Sequence, residues 1–226
     1  MVAHDLLYSE DMDPAIAEKI EKFFSQYQIH QYHKGQILIH AHDEPQHVFY
    51  LVSGKVKQYD ISYRGDEVVL NIFKPPAFFP MAYAMNKTVN HYFFEAEADV
   101  ELRLAPIDEA ISFIKANPDV LYNLLSRVYS GMDGLLGRLA HLMAGSARSR
   151  VMFELLIECR RFGTPDGSRV VVSLTETDIG THAGLARETV SREVRKLKEE
   201  GLISLTKNTI VVNDLERLAA SVSHEL

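Results

Sequence analysis

Within six consecutive positions, Arg187, Glu188, Thr189, Ser191 and Arg192 bring together two guanidinium forks, a carboxylate and two hydroxyls. An arginine fork donates two parallel hydrogen bonds to a phosphate or to a guanine edge. A carboxylate accepts from a cytosine amino group, and a hydroxyl meets either phosphate or base. This is recognition chemistry. No Ser/His/Asp constellation and no phosphate-cradling glycine loop stands out, so no catalytic residue is assigned and the chain reads as a non-enzyme. His40, His42, His47 and His91 form the other group of ligating side chains. His40 and His42 would share one strand face and could serve a metal or haem, although scattered surface histidines are the better account of them. No carboxylate accompanies them at a familiar spacing, and no metal is assigned. Cys159 is the single cysteine. One cysteine excludes an internal disulfide and any Cys-ligated zinc site or iron–sulfur cluster, and it fits a reducing cytoplasm.

The residues around the recognition set are arranged to present it. Thr175, followed three positions later by Asp178, has the spacing of a capping box and opens a short helix. Gly180 is small where two helices must come close, and Gly184 permits a tight turn. Val190, Val194 and Leu197 supply the apolar stripe of a second helix ending at Gly201, which leaves Arg187, Glu188, Ser191 and Arg192 on its exposed N-terminal turns. A helix-turn-helix meets the major groove of DNA with those turns. Ile203–Leu205 and Thr209–Val212 then flank Lys207 and Asn208 as a β-hairpin wing, with Lys207 at the tip beside the DNA backbone. Upstream, Ala147–Phe162 reads as a supporting helix closed by Gly163.

Charge bookkeeping agrees with this division. The chain of 226 residues carries a net charge of −7, yet residues 144–226 hold 12 Lys+Arg and 12 Asp+Glu. The negative excess lies wholly upstream, so the C-terminal part can face DNA without that penalty. Arg187, Arg192, Arg195, Lys196 and Lys198 crowd one segment; alone, such a cluster would be a solvated helix face, and the order helix, turn, helix, wing is what gives it meaning.

Two further regions precede the reader. Pro14–Tyr27 reads as a helix, and from Ile29 to Leu104 short strands (Gln36–His40, Val48–Val52, Lys55–Ile61, Glu67–Phe73, Tyr92–Ala96, Val100–Leu104) alternate with turns, the pattern of a barrel or jelly roll. Asn117-Pro118-Asp119 then starts a helix, with a capping amide, a proline in the first turn and a carboxylate at the positive dipole end. Leu121, Leu125, Val128, Met132, Leu135, Leu139 and Leu142 follow at spacings of 4, 3, 4, 3, 4, 3, an unbroken heptad seam. A helix lying on its own core typically shows a broader apolar face, so the seam predicts parallel pairing with a second copy. Ending before Gly145, this helix has about 26 residues and a length of roughly 39 Å. Gly131, Gly134 and Gly137 each cost it about 1 kcal/mol; they either admit a closely packed neighbour or leave the helix easy to bend. The expected organisation is α+β, with a sensor domain over 1–116, a dimerisation helix over 117–145 and a winged-helix domain over 146–226. The acidic N-terminus does not read as a signal peptide, and no apolar run approaches a membrane span.

From about Tyr32 to Leu215 the chain resembles the cyclic-AMP receptor / fumarate–nitrate regulator (Crp/Fnr) family. The resemblance is strongest in Leu185–Leu202, LARETVSREVRKLKEEGL, and clear in YHKGQILI and FYLVSGKVKQYD. It implies a cyclic-nucleotide-binding-like jelly roll, a long dimer helix, a winged helix, a near-palindromic operator on double-stranded DNA read by Arg187, Glu188 and Arg192, and RNA polymerase as a partner. Ala186 departs from the Ser or Thr that commonly caps the family's recognition helix, a loss of about 0.5–2 kcal/mol.

The family's cyclic-nucleotide sites carry a Gly-Glu pair and an Arg-Ser/Thr a few residues later. The matching stretch, Phe78–Tyr92, has Lys87 as its only cation, and no arginine lies between Arg64 and Arg103. This argues against cyclic AMP in the usual mode, and the cofactor is left unknown. Phe78, Phe79, Met81, Tyr83 and Met85 either line a pocket for an apolar or aromatic ligand or fill the jelly-roll core; the histidines bind a metal, or the protein needs no small ligand. The rival classes are a jelly-roll metal enzyme, which would not require the winged helix, and a DNA-architectural protein with little sequence preference, marked by a low ratio of specific to non-specific affinity at fixed salt.

Overall fold

The computed structural model describes residues 12–63, 65, 67–206 and 209–223. These residues fall into two compact units that meet inside one long helix, the first ending at Leu125 and the second beginning at Ser126.

The first unit is built on two antiparallel four-stranded sheets. Helix α1 (Pro14–Phe24) starts on Asp13, whose carboxylate accepts from the Ala15 amide, with Pro14 in the first turn. Strands β1 (Ile29–Tyr32), β2 (Ile37–Ile39), β3 (His47–Ser53), β4 (Val56–Ile61), β5 (Glu67–Phe73) and β6 (Ala77–Phe79) come next, then the short α2 (Met81–Asn86), β7 (Phe93–Ala96) and β8 (Val100–Pro106). The sheets run β1-β8-β3-β6 and β2-β7-β4-β5, a jelly-roll arrangement. Between them lie Ile39, Phe49, Leu51, Val56, Phe79, Phe94 and Leu102. The outer face of the first sheet carries a second cluster, in which Val48, Tyr50 and Phe78 pack with Ile20 and Phe24 of α1 and with Ile107 and Ile114 of α3 (Ile107–Ala116). Strand β3 is therefore buried on both sides and reads as a continuous apolar run rather than an alternation.

The long helix α4 spans Pro118–Ala144, one residue longer than the sequence length implied. Asn117, predicted to cap it, turns backward: its side-chain amide donates to the Phe113 carbonyl and closes α3, while only its backbone carbonyl serves the Leu121 amide. Asn117 is the one residue between the two helices, and the preceding helix takes its side chain.

The second unit continues with α5 (Ala147–Phe162), β9 (Thr164–Asp166), β10 (Arg169–Val172), α6 (Glu176–Ala183), α7 (Arg187–Glu199), β11 (Ile203–Thr206), β12 (Thr209–Val212) and α8 (Leu215–Ser223). Its core gathers Val151, Met152, Leu155 and Leu156 of α5, Ile179 of α6, Val190, Val194 and Leu197 of α7, and Leu218 of α8. The predicted wing forms half of a sheet ordered β11-β12-β10-β9. Strands β9 and β10 escape the sequence pattern because they are three and four residues long.

Candidate nucleic-acid interface

The reader is assembled from α6, a tight turn and α7. Thr175 accepts from the Asp178 amide, and the Asp178 carboxylate accepts from the Thr175 amide at 2.8 Å, which completes the predicted capping box. Helix α6 ends at Gly184 in the left-handed region, with φ +62°. Gly180 is required by a close approach: a Cβ there would stand 2.8 Å from the Leu185 carbonyl oxygen. The Leu185 amide donates back to the Gly180 carbonyl across the turn.

Val190, Val194 and Leu197 are fully buried and fix the rotation of α7 about its axis. That rotation leaves Arg187, Glu188, Ser191 and Arg192 exposed along one edge, with Thr189 half-buried beside them. Ala186 stands at the N-cap without a side-chain bond, and Glu188 offers a carboxylate to the positive end of the helix. The basic cluster is partly compensated. Glu193, buried on the apolar side, takes the Lys196 ammonium at 2.9 Å and lies 3.9 Å from Arg192 Nε, while Arg195 pairs with Glu199 at 3.0 Å. Among the described residues no ion pair holds Arg187. Glu193 was legible only as a carboxylate three residues from Val190 and four from Leu197.

The far end of α7 is braced by a residue the sequence reading missed. Arg148 of α5 grips Glu200 through two bonds of 2.7 and 2.6 Å and holds that carboxyl below the usual range. Beside the reader, Glu154 and Glu158 of α5 lie buried one turn apart. Glu154 accepts two bonds from Arg138 of α4, and burial still pushes its carboxyl above the ordinary range. Glu158 lies 3.7 Å from His182, whose ionisation is lowered to about 4 by burial first and then by the field of Arg138. Lys207 lies outside the described residues; the wing strands that lead to it pair Thr206 with Thr209.

The seam residues Leu121, Leu125, Val128, Met132, Leu135, Leu139 and Leu142 are all 36–53% exposed on the single chain. Tyr122, Tyr129, Leu136 and Met143 stand beside them at heptad spacing and are more exposed still. The opposite side of the helix is taken up: Gly137, Arg138 and His141 face α5. Gly137 therefore admits a closely packed neighbour, with Phe153 against it.

The candidate effector residues do not converge. Phe78 and Phe79 point to opposite sides of β6 and join the outer and inner clusters respectively. Met81 and Tyr83 pack against the outer cluster, and Met85 is half exposed. Inside the jelly roll, Phe79 stacks on Phe49 and Phe94 at 5.6 and 5.3 Å, with Phe73 at 5.1 Å. Lys87 ends α2, and its ammonium lies 5.7 Å from the centre of the Tyr83 ring.

His40 and His42 do not share a strand. Strand β2 stops at Ile39 and the chain turns, because Asp43 accepts from the His40 amide and His42 takes a φ of +70°. The His42 and His91 rings meet edge to face at 5.8 Å, and no cluster of three or more ligating side chains occurs among the described residues.

Comparison with known proteins matches this anatomy. Residues 29–117 match the family described as the cyclic nucleotide-binding domain, and residues 137–221 match the Crp-like helix-turn-helix domain. The chain is 29% identical over 194 residues to a global nitrogen regulator from Synechocystis, covering 82% of this chain and 84% of that protein. It is 28% identical over 203 residues to a cAMP-activated global transcriptional regulator CRP from Pasteurella multocida, covering 88% and 96%. In fold it is similar to a CooA mutant from Carboxydothermus hydrogenoformans, with TM-score 0.74, 20% identity and coverage of 98% and 96%. A transcriptional regulator of the CRP/FNR family from Thermus thermophilus gives 0.70 at 20% identity, covering 88% and 100%. With a jelly roll, a long helix whose apolar seam is exposed, and a helix-turn-helix that leaves Arg187, Glu188, Ser191 and Arg192 open on α7, the chain belongs to the Crp/Fnr family of DNA-binding transcription regulators.

Proposed function

We propose that this regulator acts as a homodimer on a near-palindromic operator in double-stranded DNA, and that cyclic AMP does not gate it in the usual mode. One observation carries the reading: Arg187, Glu188, Ser191 and Arg192 form an exposed row on the first turns of a helix whose rotation is locked by Val190, Val194 and Leu197. The two arginines read guanine edges and Glu188 a cytosine amino group, with Thr189, Ser191 and Lys207 on phosphates. The uncovered seam from Leu121 to Leu142 pairs two copies, and a two-fold protein requires a two-fold site.

The independence from cyclic AMP is supported by the absence of an arginine between Arg64 and Arg103 and by the phenylalanine packing around Phe79. The protein is a cytoplasmic binding module rather than an enzyme, and it meets RNA polymerase at promoters. Selection from random duplex DNA by the purified protein, with no ligand added and an absorption spectrum to check for bound cofactor, tests the whole reading. Recovery of a palindrome with half-sites about one helical turn apart supports it. A lack of enrichment that persists after cell extract is added overturns it.

A further inference from the structure

Helices α4 and α5 are joined by only Gly145 and Ser146. Two residues contribute four soft backbone torsions, so the angle between the helices is set by what they touch. Arg138 lays its fork on the Glu154 carboxylate through Nε at 2.7 Å and Nη2 at 2.8 Å. A planar fork on a carboxylate is satisfied in one relative orientation. Glu154 is 2% exposed, so a swing that parted the two would strand a buried charge.

The contacts on either side of this pair act in the same sense. His141 Nδ1 lies 2.6 Å from Ser149 Oγ, and its ring packs on Phe153 at 4.3 Å. Arg150 donates to the Leu142 carbonyl at 2.8 Å. Helix α5 in turn holds α7 through the shared core and the Arg148–Glu200 pair. Contacts thus run without a gap from the last two turns of α4 through α5 to α7.

We propose that the Arg138–Glu154 pair is a positioning device that fixes the angle between the seam helix and the recognition helix, and thereby sets the half-site spacing the dimer accepts. Successive base pairs are about 3.4 Å apart. One more base pair moves the far half-site by that rise and turns it by about 35° about the duplex axis, so a joint free to both shift and swing would accept the neighbouring spacing where a fixed one does not. The inference rests on the dimeric-operator reading, and its test separates the two.

The selected operator is remade with its spacer lengthened or shortened by one base pair, and affinities are measured at fixed salt. The wild type is expected to lose about tenfold or more on either change. Glu154→Gln, and the apolar pair Arg138→Met with Glu154→Leu, are expected to bring the three spacings within about threefold of one another. Each variant is first checked as folded and dimeric by circular dichroism and sedimentation. A folded dimer that keeps the wild-type discrimination overturns the positioning role. Equal binding by the wild type at all spacings overturns the operator reading instead.

A second measurement needs no destabilising substitution at the pair. Cys159 is buried with its thiol pushed up to about 12, so labels go only to cysteines introduced at Asp133 on α4 and Glu199 on α7. With labelled protomers diluted among unlabelled ones, a single narrow spin–spin distance, the same with and without DNA, is expected. A broad distribution, or one that moves on binding, overturns the clamp.

Discussion

Gly137 and Phe153 touch so closely that a Cβ on the glycine would stand 2.6 Å from the Phe153 Cζ. Alanine at this position gains up to about 1 kcal/mol in helix propensity. It also forces a ring that is 7% exposed to move within a packed interface, where overpacking costs about 1–3 kcal/mol. The steric cost wins. Gly137→Ala is expected to destabilise the chain by about 1 kcal/mol in denaturant unfolding, and a more stable variant would show that the ring has room to yield.

The recognition row makes a sharper forecast. Arg187→Ala and Arg192→Ala should each cost about 1–3 kcal/mol on the preferred operator and relax preference at a single base position. Binding isotherms on single-base operator variants distinguish this from phosphate contact, which would weaken all sequences alike. Arg192 is also 3.9 Å from Glu193, so Glu193→Gln should shift the Arg192-dependent preference while leaving that of Arg187 alone.

In mid-seam, Met132 is 46% exposed on the single chain. A second copy that covers it gives up about 1.5–3 kcal/mol per side chain when the thioether is replaced by a charge. Met132→Lys should therefore weaken dimerisation in sedimentation and lower operator affinity in step. A variant that stays dimeric and binds normally would sink the heptad seam.

His182 supplies a pH dependence of definite sign. The unfolded imidazole takes its proton near pH 6.5, and the folded one only near pH 4, chiefly because it is buried and then because Arg138 repels the charge. Between those values the unfolded state binds more protons, so stability is whole above about 6.5 and falls as pH falls towards 4. The full loss is on the order of 3 kcal/mol. Burial also lowers the ionisation of His141 and raises that of Glu154, so the quantity to measure is the difference from His182→Gln. The wild type should lose more stability than the variant on acidification; parallel curves would remove His182 from the account. At neutral pH the 3.7 Å approach to Glu158 is thus not an ion pair.

What could be read in the sequence was what repeats locally. The heptad spacing from Leu121 to Leu142, the Thr175/Asp178 box, the turn glycines and the apolar stripe of α7 each depend on neighbours within a turn or two, and they predict elements the structure contains. The same local logic failed where two elements compete for one residue. Asn117 closes α3 because that helix ends where α4 begins. His40 and His42 lose their common strand face because Asp43 turns the backbone.

Tertiary structure decided everything that needed a partner far away in the chain or across a layer. Phe78 and Phe79 are adjacent in sequence yet belong to separate clusters, since β6 is covered on both faces. The role of Gly137 depended on which ring lay opposite, and nothing near it in sequence named Phe153. Arg138 lies one residue before a seam leucine and looks like an ordinary flanking charge. Its partner, Glu154, lies sixteen residues on, past a helix break, and reads as a surface carboxylate of α5. Periodicity reports which face of an element is buried, because burial acts on every turn alike; which two faces meet depends on the angle at Gly145 and Ser146, and only the packing that closes around Arg138 and Glu154 determines it.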